Sequence, residues 1–251
     1  SGADTIYGYD GADTLKGHDG NDEIRGGEGN DIIDGGDNDD TLYGGNDNDV
    51  ISGSEGNDTI FGGAGDDYIY AMRERHMSHH AWYTTDWTST VENDVLYGGA
   101  GNDTLKGFTG STIYGEEGND TIHSLLSEFH SGNLGPGTTA YGGAGNDSIT
   151  LGQPKIADGG DGDDTIQITG SGDESQVFTP TSITGGTGYD KLIISNQYPY
   201  WDQISDFEEI TIDSGSRVFT NDLAPSGQTL KINTNGTSNL DFSAETDAFL
   251  N

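Results

Sequence analysis

The chain has 251 residues, and its composition does not fit an ordinary globular domain. Hydrophobic residues make up only 30%, glycine fills 42 positions, and 44 acidic against 9 basic residues give a formal charge of -35. Such a chain cannot offset its conformational entropy by apolar burial alone. Its charge disfavours nucleic acid and anionic membranes as partners and favours cations. The absence of cysteine excludes disulfides and thiolate chemistry, and no apolar run approaches the ~18 residues of a membrane span.

Residues 1–70 repeat with a period of nine residues, and each repeat has the form GGxGxDxUx, where U is apolar. The period places its aspartates at Asp4, Asp13, Asp22, Asp31, Asp40, Asp49, Asp58 and Asp67. A branched aliphatic residue follows each of them two positions later, at Ile6, Leu15, Ile24, Ile33, Leu42, Ile51, Ile60 and Ile69. So regular a pattern predicts a repeat architecture rather than a disordered linker.

The residue types in the repeat predict its local structure. Glycine, and Asn38 and Asp47 where they replace it, tolerate positive φ angles, so six residues can form a tight loop. Threonine and the U residue then predict a short β-strand whose U side chain points inward. Two repeats complete one coil, and coils stack ~4.8 Å apart, so the aliphatic residues form a thin internal ladder.

Stacking also places each acidic loop over the loop eighteen residues away. Carboxylates and carbonyl oxygens would then face each other, and their repulsion requires a cation. Calcium suits this arrangement better than magnesium, because it accepts six to eight oxygen ligands at ~2.3–2.6 Å in loose geometry. The lack of cysteine and of regular histidine ladders argues against zinc in these loops.

Two segments interrupt the motif without shifting its phase. The intervals from Asp67 to Asp94 and from Asp120 to Asp147 are both 27 residues, or three periods. The first contains AMRERHMSHHAWYTTDW, in which good helix formers precede aromatic residues. The second contains HSLLSEFHSGNLGPG and predicts a short helical turn that ends at glycine and proline.

Both segments carry histidines. His76, His79 and His80 have helical spacing, and His123 and His130 lie in the second segment. Because four half-coils separate the two departure points, both are expected at the same edge, about 10 Å apart. A composite pocket or a transition-metal site there is one hypothesis. The favoured alternative is that these segments fold over the ends of the ladder with solvent-exposed histidines.

Outside the ladder, the residue after every second aliphatic is Tyr7, Arg25, Tyr43 and then Phe61. These side chains should share one exposed face, which could contact a copy of the chain or a glycan. Ordinary cross-strand stacking is the favoured interpretation. Beyond Asp190 the motif stops, and KLIISNQ, EEITIDS, TLKINTN and NLDFSAETDAF predict short strands with aliphatics at Leu192, Ile194, Ile210, Ile212, Leu230 and Ile232.

Residues 1–70, 92–123 and 142–166 resemble the RTX repeats of bacterial proteins exported by type I secretion. The resemblance implies an all-β parallel β-roll or β-solenoid with two insertions, continued by an irregular β-solenoid tail. It divides the chain into an RTX block at 1–70, an insertion at 71–91, a second block at 92–123, an insertion at 124–141, a partly degenerate block at 142–190 and an irregular extension at 191–251.

The resemblance also implies several calcium ions held between loops eighteen residues apart. Asp31 and Asp49 would share an ion with the carbonyls of Gly27, Gly29, Gly44 and Asn46. The implied carboxylates are the eight aspartates above together with Asp94, Asp103, Asp120, Asp147, Asp164 and Asp190. The implied carbonyls elsewhere belong to Gly36, Gly63, Gly65, Gly99, Gly101, Gly118, Gly143, Gly145, Gly160 and Gly162. Two loops depart from the motif, FTGST with Ser111 in place of aspartate and GQPKIADGG without an aspartate in register, so ions there are doubtful.

These observations predict a binding module rather than an enzyme. No HExxH, GxSxG or phosphate-loop motif and no basic patch is present. An aspartate that holds calcium is also unavailable as a general acid or base. We expect a calcium-folded segment of an extracellular or cell-surface protein similar to S-layer proteins and adhesins, with copies of itself or a cell-surface glycan as further partners. The alternative is an accessory segment beside a protease, lipase or polysaccharide-modifying domain. The chain starts within a repeat, so we expect it to be a fragment.

Overall fold

The computed structural model describes most of the repeat region and part of the tail. The described residues are 2–71, 93–108, 110–125, 137–152, 154–169, 180–195, 200–201, 204–212, 217–219, 229–234, 240–241 and 249–250. Within these ranges every regular element is a β-strand, and no helix there is long and apolar enough to cross a membrane. Most of each helical segment predicted within 71–91 and 124–141 falls outside the described residues. Of the second range, residues 124–125 and 138–141 are described, and they belong to β-strands.

The described part of the chain contains twenty-five short strands, which follow one another in sequence order. In the repeat region they are β1 (Thr5–Asp10), β2 (Thr14–Asp19), β3 (Glu23–Glu28), β4 (Ile32–Asp37), β5 (Thr41–Asn46), β6 (Val50–Glu55), β7 (Thr59–Ala64), β8 (Tyr68–Tyr70), β9 (Val95–Ala100), β10 (Thr104–Phe108), β11 (Thr112–Glu117), β12 (Thr121–Leu125), β13 (Thr138–Ala144), β14 (Ser148–Leu151), β15 (Pro154–Asp161), β16 (Thr165–Ile168) and β17 (Ser182–Thr187). The tail contributes β18 (Lys191–Ile194), β19 (Tyr200–Trp201), β20 (Ile204–Ser205), β21 (Glu209–Ile212), β22 (Arg217–Phe219), β23 (Thr229–Thr234), β24 (Leu240–Asp241) and β25 (Phe249–Leu250).

Successive strands alternate between two parallel sheets. The odd-numbered strands β1 to β17 and then β20 form one ten-stranded sheet, and the even-numbered strands β2 to β18, followed by β21, β23 and β25, form the other, with twelve strands. In the first block each residue pairs with the residue eighteen positions later, as Leu42 does with Ile60. Two repeats therefore complete one coil, and the predicted all-β parallel roll is confirmed.

The roll keeps its register across the two interruptions. Thr59 of β7 pairs with Val95 of β9, 36 positions later, and Thr112 of β11 pairs with Thr139 of β13, 27 positions later. In both places the chain leaves after an even-numbered strand and returns in an odd-numbered one, so both interruptions lie at the same edge of the roll.

The strands are longer than the repeat chemistry predicts. β5, for example, continues from Thr41 through the glycine pair to Asn46. The reason is that the first half of each loop also pairs with the next coil, as Gly45 does with Gly63. Only the last three residues before each new strand form a turn, where Asn38 and Asp47 adopt φ angles of 83° and 73° as expected.

The core is a narrow column of aliphatic side chains between the two sheets. Each U residue from Ile24 to Ile69 is at most 1% exposed, whereas Ile6 and Leu15 of the first coil are partly buried. The column continues into the tail through Leu192, Ile194, Ile210 and Ile212, all fully buried. Ile232 packs against its end.

The outer face of the odd-numbered sheet carries a stack of aromatic rings. Tyr43, Phe61, Tyr97, Tyr114 and Tyr141 lie on successive strands with centroids 4.8–5.0 Å apart and ring planes within 7° of parallel. The Arg25 guanidinium extends this stack, 4.3 Å from the Tyr43 centroid. Adjacent rings cover each other's faces, so the stack presents mainly ring edges to solvent. The tail departs from this regularity, because β19, β22 and β24 form a separate three-stranded sheet.

Candidate functional site: two ladders of buried aspartates

The loops of the roll stack at two edges, and an aspartate ends each motif-bearing loop. At the edge where odd-numbered strands lead into even-numbered strands, we call the stacked aspartates the long ladder, which consists of Asp13, Asp31, Asp49, Asp67, Asp103, Asp120, Asp147, Asp164 and Asp190. At the opposite edge the short ladder consists of Asp4, Asp22, Asp40, Asp58 and Asp94. From Asp22 onward all of these residues are at most 3% exposed.

One carboxylate oxygen of each rung links two coils. The backbone N–H of Asp31 donates to Oδ1 of Asp49 at 2.7 Å, and the N–H of Asp49 donates to Oδ1 of Asp67 at 2.8 Å. The same bond recurs from rung to rung of both ladders at 2.7–2.9 Å. It crosses both interruptions of the motif, from Asp67 to Asp103 and from Asp120 to Asp147. Each aspartate is therefore held in one orientation by the coil before it.

In every rung except Asp4, the other carboxylate oxygen accepts no hydrogen bond from the protein. Thirteen Oδ2 atoms are buried without a hydrogen bond, those of Asp13, Asp22, Asp31, Asp40, Asp49, Asp58, Asp67, Asp94, Asp103, Asp120, Asp147, Asp164 and Asp190. Buried polar atoms are almost always hydrogen-bonded, because an unsatisfied one costs roughly 1–3 kcal/mol and more when it is charged. Thirteen unsatisfied oxygens in two regular rows therefore point to a missing partner of one kind.

A main-chain carbonyl of the next coil faces twelve of these thirteen oxygens, all but that of Asp94, across the first glycine of the loop. A methyl carbon built on Gly44 would touch Oδ2 of Asp49 and lie 2.5 Å from the carbonyl oxygen of Gly62. On Gly62 it would meet Asp67 and the carbonyl of Gly98 in the same way. The absent side chain thus leaves a small space bordered by a carboxylate oxygen and a carbonyl oxygen, and neither oxygen can donate a hydrogen bond.

This donor set fits a hard cation. Among the described residues no three His, Asp, Glu or Cys side chains converge on one point, so the side chains alone do not build a cage. Carboxylates together with main-chain carbonyls are instead the oxygen ligands that calcium accepts in loose geometry. The unsatisfied oxygens of the ladders are therefore suitable ligands for the calcium ions that the sequence implies.

Burial makes the ladders sensitive to protons as well as to cations. Removal from water raises the pKa of nine rungs above the usual value of 3.8, and the negative charges of neighbouring residues add to the shift at all of them except Asp147. The pKa is about 7 for Asp67, Asp120 and Asp164, and about 6 for Asp40, Asp49, Asp94, Asp103 and Asp190. Without a cation, keeping these carboxylates charged opposes folding.

The structure brings together only some of the atoms that the sequence assigned to one ion. The Asp31 N–H bonds Asp49, and the Gly44 carbonyl lies beside Oδ2 of Asp31. The Asn46 carbonyl instead accepts the N–H of Gly29 at 3.2 Å. The Gly27 carbonyl lies against the Cα of Gly45 in the next loop.

Sequence reasoning missed most of the first-position glycines. Their carbonyls, rather than those of the second position, face the unpaired oxygens, at Gly26, Gly35, Gly53, Gly62, Gly98, Gly115, Gly142, Gly159 and Gly185. The signal was present in the sequence, because this glycine recurs with the period. However, its backbone is not in the left-handed region, so φ alone does not explain why glycine is needed there.

The short ladder ends where the long ladder continues. Ser111 takes the position after Asp94, and its hydroxyl accepts the N–H of Phe108 at 3.2 Å within the same loop. One coil further, the Thr138 hydroxyl donates to the carbonyl of Phe108 and lies 2.6 Å from the Ser124 hydroxyl. Hydroxyl groups therefore satisfy this part of the edge, where the sequence left calcium binding in doubt.

The histidine hypothesis concerns residues mostly outside the described chain. His76, His79, His80 and His130 lie outside it, whereas His123 is half-buried on the even-numbered sheet, paired with Lys106 of the neighbouring strand. Burial and the nearby Lys106 ammonium lower the pKa of His123. A metal site formed by these histidines therefore stays a prediction.

Comparison with known proteins agrees with the geometry of the ladders. The family model of the RTX calcium-binding nonapeptide repeat (4 copies) matches residues 1–24, 16–51, 43–73, 111–125 and 138–153. A search of the curated proteins found no match. The matched ranges include most of the coils whose aspartates carry unpaired oxygens, and the loops ending at Asp103, Asp164 and Asp190 repeat the same contacts outside those ranges. The chain therefore contains a segment of RTX calcium-binding nonapeptide repeats, built as a parallel β-roll.

Proposed function

We propose that the chain is a calcium-triggered folding unit of an exported cell-surface protein, and that its aspartate ladders hold the ions. The observation that carries this proposal is the two rows of thirteen buried Oδ2 atoms, none of which accepts a hydrogen bond and twelve of which lie beside a main-chain carbonyl. A divalent cation between such oxygens cancels the repulsion that otherwise accumulates along each ladder. The free energy of ion binding then becomes free energy of folding.

The ligand assignment follows from which atoms lack other partners. For each rung we assign Oδ2 and the facing first-glycine carbonyl, and we retain the second- and fourth-position carbonyls as the further ligands that calcium needs. The long ladder supplies such positions from Asp13 to Asp164, and the short ladder supplies them from Asp22 to Asp58, where the carbonyl of Ala71 takes the place of a glycine carbonyl. Asp94 also has an unpaired Oδ2. We also propose that the blocks and insertions bounded at 70, 91, 123, 141 and 190 are the organisational units of the chain.

The negative charge of the chain makes its folding depend on the calcium concentration. At low calcium the formal charge of -35 favours an extended chain, which suits passage through a secretion channel. Outside the cell, where calcium-binding modules have Kd values of roughly 10⁻⁴–10⁻³ M, ions bind and the roll becomes stable. We therefore propose an extracellular or cell-surface setting for the folded form.

We favour a structural role, as in an S-layer or adhesin, over an accessory role beside a catalytic domain. RTX repeats are a structural calcium-binding module and supply no catalytic group. The irregular strands beyond Asp190 also extend the even-numbered sheet and so add length to the roll. Assembly would use copies of the chain or a surface glycan.

Sedimentation velocity across a calcium series from chelator to ~10 mM tests the proposal, because this range brackets the expected affinity. Compaction at constant mass supports the folding unit without self-assembly, and compaction followed by large species supports assembly as well. A matched magnesium series is the control, and it should compact the chain much less. If calcium changes neither shape nor mass, the proposal is wrong.

A further inference from the structure

The long ladder ends on a residue outside the repeat motif. The backbone N–H of Asp190 donates to Oε2 of Glu208 at 2.7 Å, in the position where every earlier rung meets the next aspartate. The N–H of Glu209 also donates to the Asp190 carbonyl at 3.0 Å, just as Lys191 does to Asp164 one coil earlier. Glu208 is therefore the last rung of the long ladder, although it belongs to the sequence SDFEE.

The space beside this rung resembles the spaces inside the ladder. Asp190 is fully buried, and its Oδ2 has no hydrogen-bond partner. A methyl carbon built on Gly185 would lie 2.8 Å from that oxygen and would touch the carbonyl oxygen of Asp206. One coil earlier, at Gly159, the Gly185 carbonyl occupies the corresponding place. The Asp206 carbonyl thus replaces the carbonyl of a first-position glycine.

A shorter turn reaches this arrangement by different chemistry. In the repeat, five positions separate the first glycine from the aspartate, as from Gly185 to Asp190, but only two separate Asp206 from Glu208. Glutamate has one more methylene group than aspartate, and this extra reach offsets the missing residues. Between them, Phe207 is fully buried in the core, which anchors the turn and keeps its acidic neighbours at the edge.

The Asp206 side chain is occupied elsewhere. Its Oδ2 accepts hydrogen bonds from the hydroxyls of Thr184 at 3.0 Å and Ser205 at 2.9 Å. Asp206 also has a φ of 60°, a left-handed conformation that L-residues other than asparagine and aspartate rarely adopt. These contacts hold the turn so that its carbonyl, rather than its carboxylate, faces the unpaired oxygen of Asp190.

We infer that Asp190, Glu208 and the Asp206 carbonyl form a further divalent-cation site that closes the long ladder, with calcium as its ion. The site rests on the proposed function, since it uses the same ion and one of the same aspartates. It differs from the other sites because its second loop contains no glycine and no GGxGxD motif. It couples the repeat region to the tail, so that calcium also orders the start of the irregular extension.

The test is the number of calcium ions bound at saturation, measured by native mass spectrometry on the full chain. Glu208→Gln keeps an oxygen that can accept the Asp190 N–H but removes the charge, and it should bind one ion fewer. Glu209→Gln is the matched control, because Glu209 bonds Lys231 and Asn233 rather than the ladder, and it should bind the full number. Equal numbers in the Glu208→Gln chain and the unmodified chain would overturn the inference but leave the proposed function intact.

Hydrogen exchange of the unmodified chain provides a second test that does not depend on how the variant folds. Calcium should slow amide exchange in residues 204–212 together with residues 182–190. If calcium protects residues 182–190 but leaves the exchange of residues 204–212 unchanged, the terminal site is wrong. If the unmodified chain binds no calcium at all, the proposed function fails as well.

Discussion

The first-position glycine gives a direct test of where the ions bind. Gly44 is not in the left-handed region, so alanine is compatible with its backbone. Where the new methyl group also has room, a Gly→Ala change usually stabilises a protein by about 0.4–1 kcal/mol. Here the added methyl group would touch Oδ2 of Asp49 and lie 2.5 Å from the Gly62 carbonyl oxygen, in the space that we assign to an ion. Gly44→Ala should therefore remove one calcium ion.

The cost follows from the linkage between binding and folding. At 10 mM calcium and a Kd of 10⁻⁴–10⁻³ M, each ion contributes about 1.4–2.7 kcal/mol to the free energy of unfolding. Because the methyl group would collide with a buried carboxylate oxygen and a main-chain carbonyl, no gain from alanine is expected here, and Gly44→Ala should lower this free energy by at least roughly 1.4–2.7 kcal/mol. Urea unfolding at 10 mM calcium and calorimetric titration of calcium measure the two effects.

Gly107→Ala is the matched control, because Gly107 is the first glycine of the loop that has serine in place of aspartate. The methyl group would there meet the Cδ1 atom of Ile113 at 2.8 Å and the Cβ atom of Ser111 at 3.0 Å. No carboxylate borders that space, so this variant should bind as many ions as the unmodified chain. If the two variants lose calcium equally, or neither loses any, the assignment of the ion to the space beside the first glycine is refuted.

Three further predictions concern the core, the ring stack and pH. Ile60→Ala should lower the free energy of unfolding at 10 mM calcium by about 2–5 kcal/mol, because Ile60 is fully buried and the thin core can fill the cavity only partly; an unchanged urea midpoint would contradict this. Tyr97→Ala should lower the free energy of unfolding by about 1–3 kcal/mol beyond the effect of the lost apolar burial, because Tyr97 stacks on both Phe61 and Tyr114. It should also weaken the near-ultraviolet circular dichroism, whereas Tyr97→Phe should preserve both the stability and the signal. The raised pKa values mean that the metal-free roll binds more protons than the unfolded chain between about pH 4 and 7. In the presence of chelator, the stability of the roll should therefore fall as pH rises through that window. The calcium concentration at which half of the chain is folded, measured by circular dichroism, should be higher at pH 6 than at pH 8, because protons compete with calcium for the same oxygens. If this concentration does not depend on pH, the assignment of the ions to the ladders is contradicted.

The nine-residue period predicted much of the fold correctly. The aliphatic residue two positions after each aspartate can be buried only if it points into the space between the two sheets in every repeat. The buried series from Ile24 to Ile69 shows that it does. The 27-residue intervals predicted that the chain returns to the roll in phase, and strand pairing does resume after both interruptions. However, three half-coils would have put Asp147 at the opposite edge from Asp120, whereas the two are neighbouring rungs of the long ladder. The helical segments and the histidine cluster lie where the sequence has no nine-residue repeat, so the period could not predict their structure.

The sequence by itself determined the coil, its aliphatic core and the stacking of aspartates, because all three depend on spacing along one chain. Only the tertiary structure decided which oxygens face each other. Contacts between coils eighteen or more residues apart decide which carbonyl faces Asp49. The same kind of contact decides why the short ladder stops at Asp94 while the long ladder continues. The role of Glu208 depends on the same kind of contact, since a longer side chain on a shorter turn reaches the place of an aspartate that the motif does not supply.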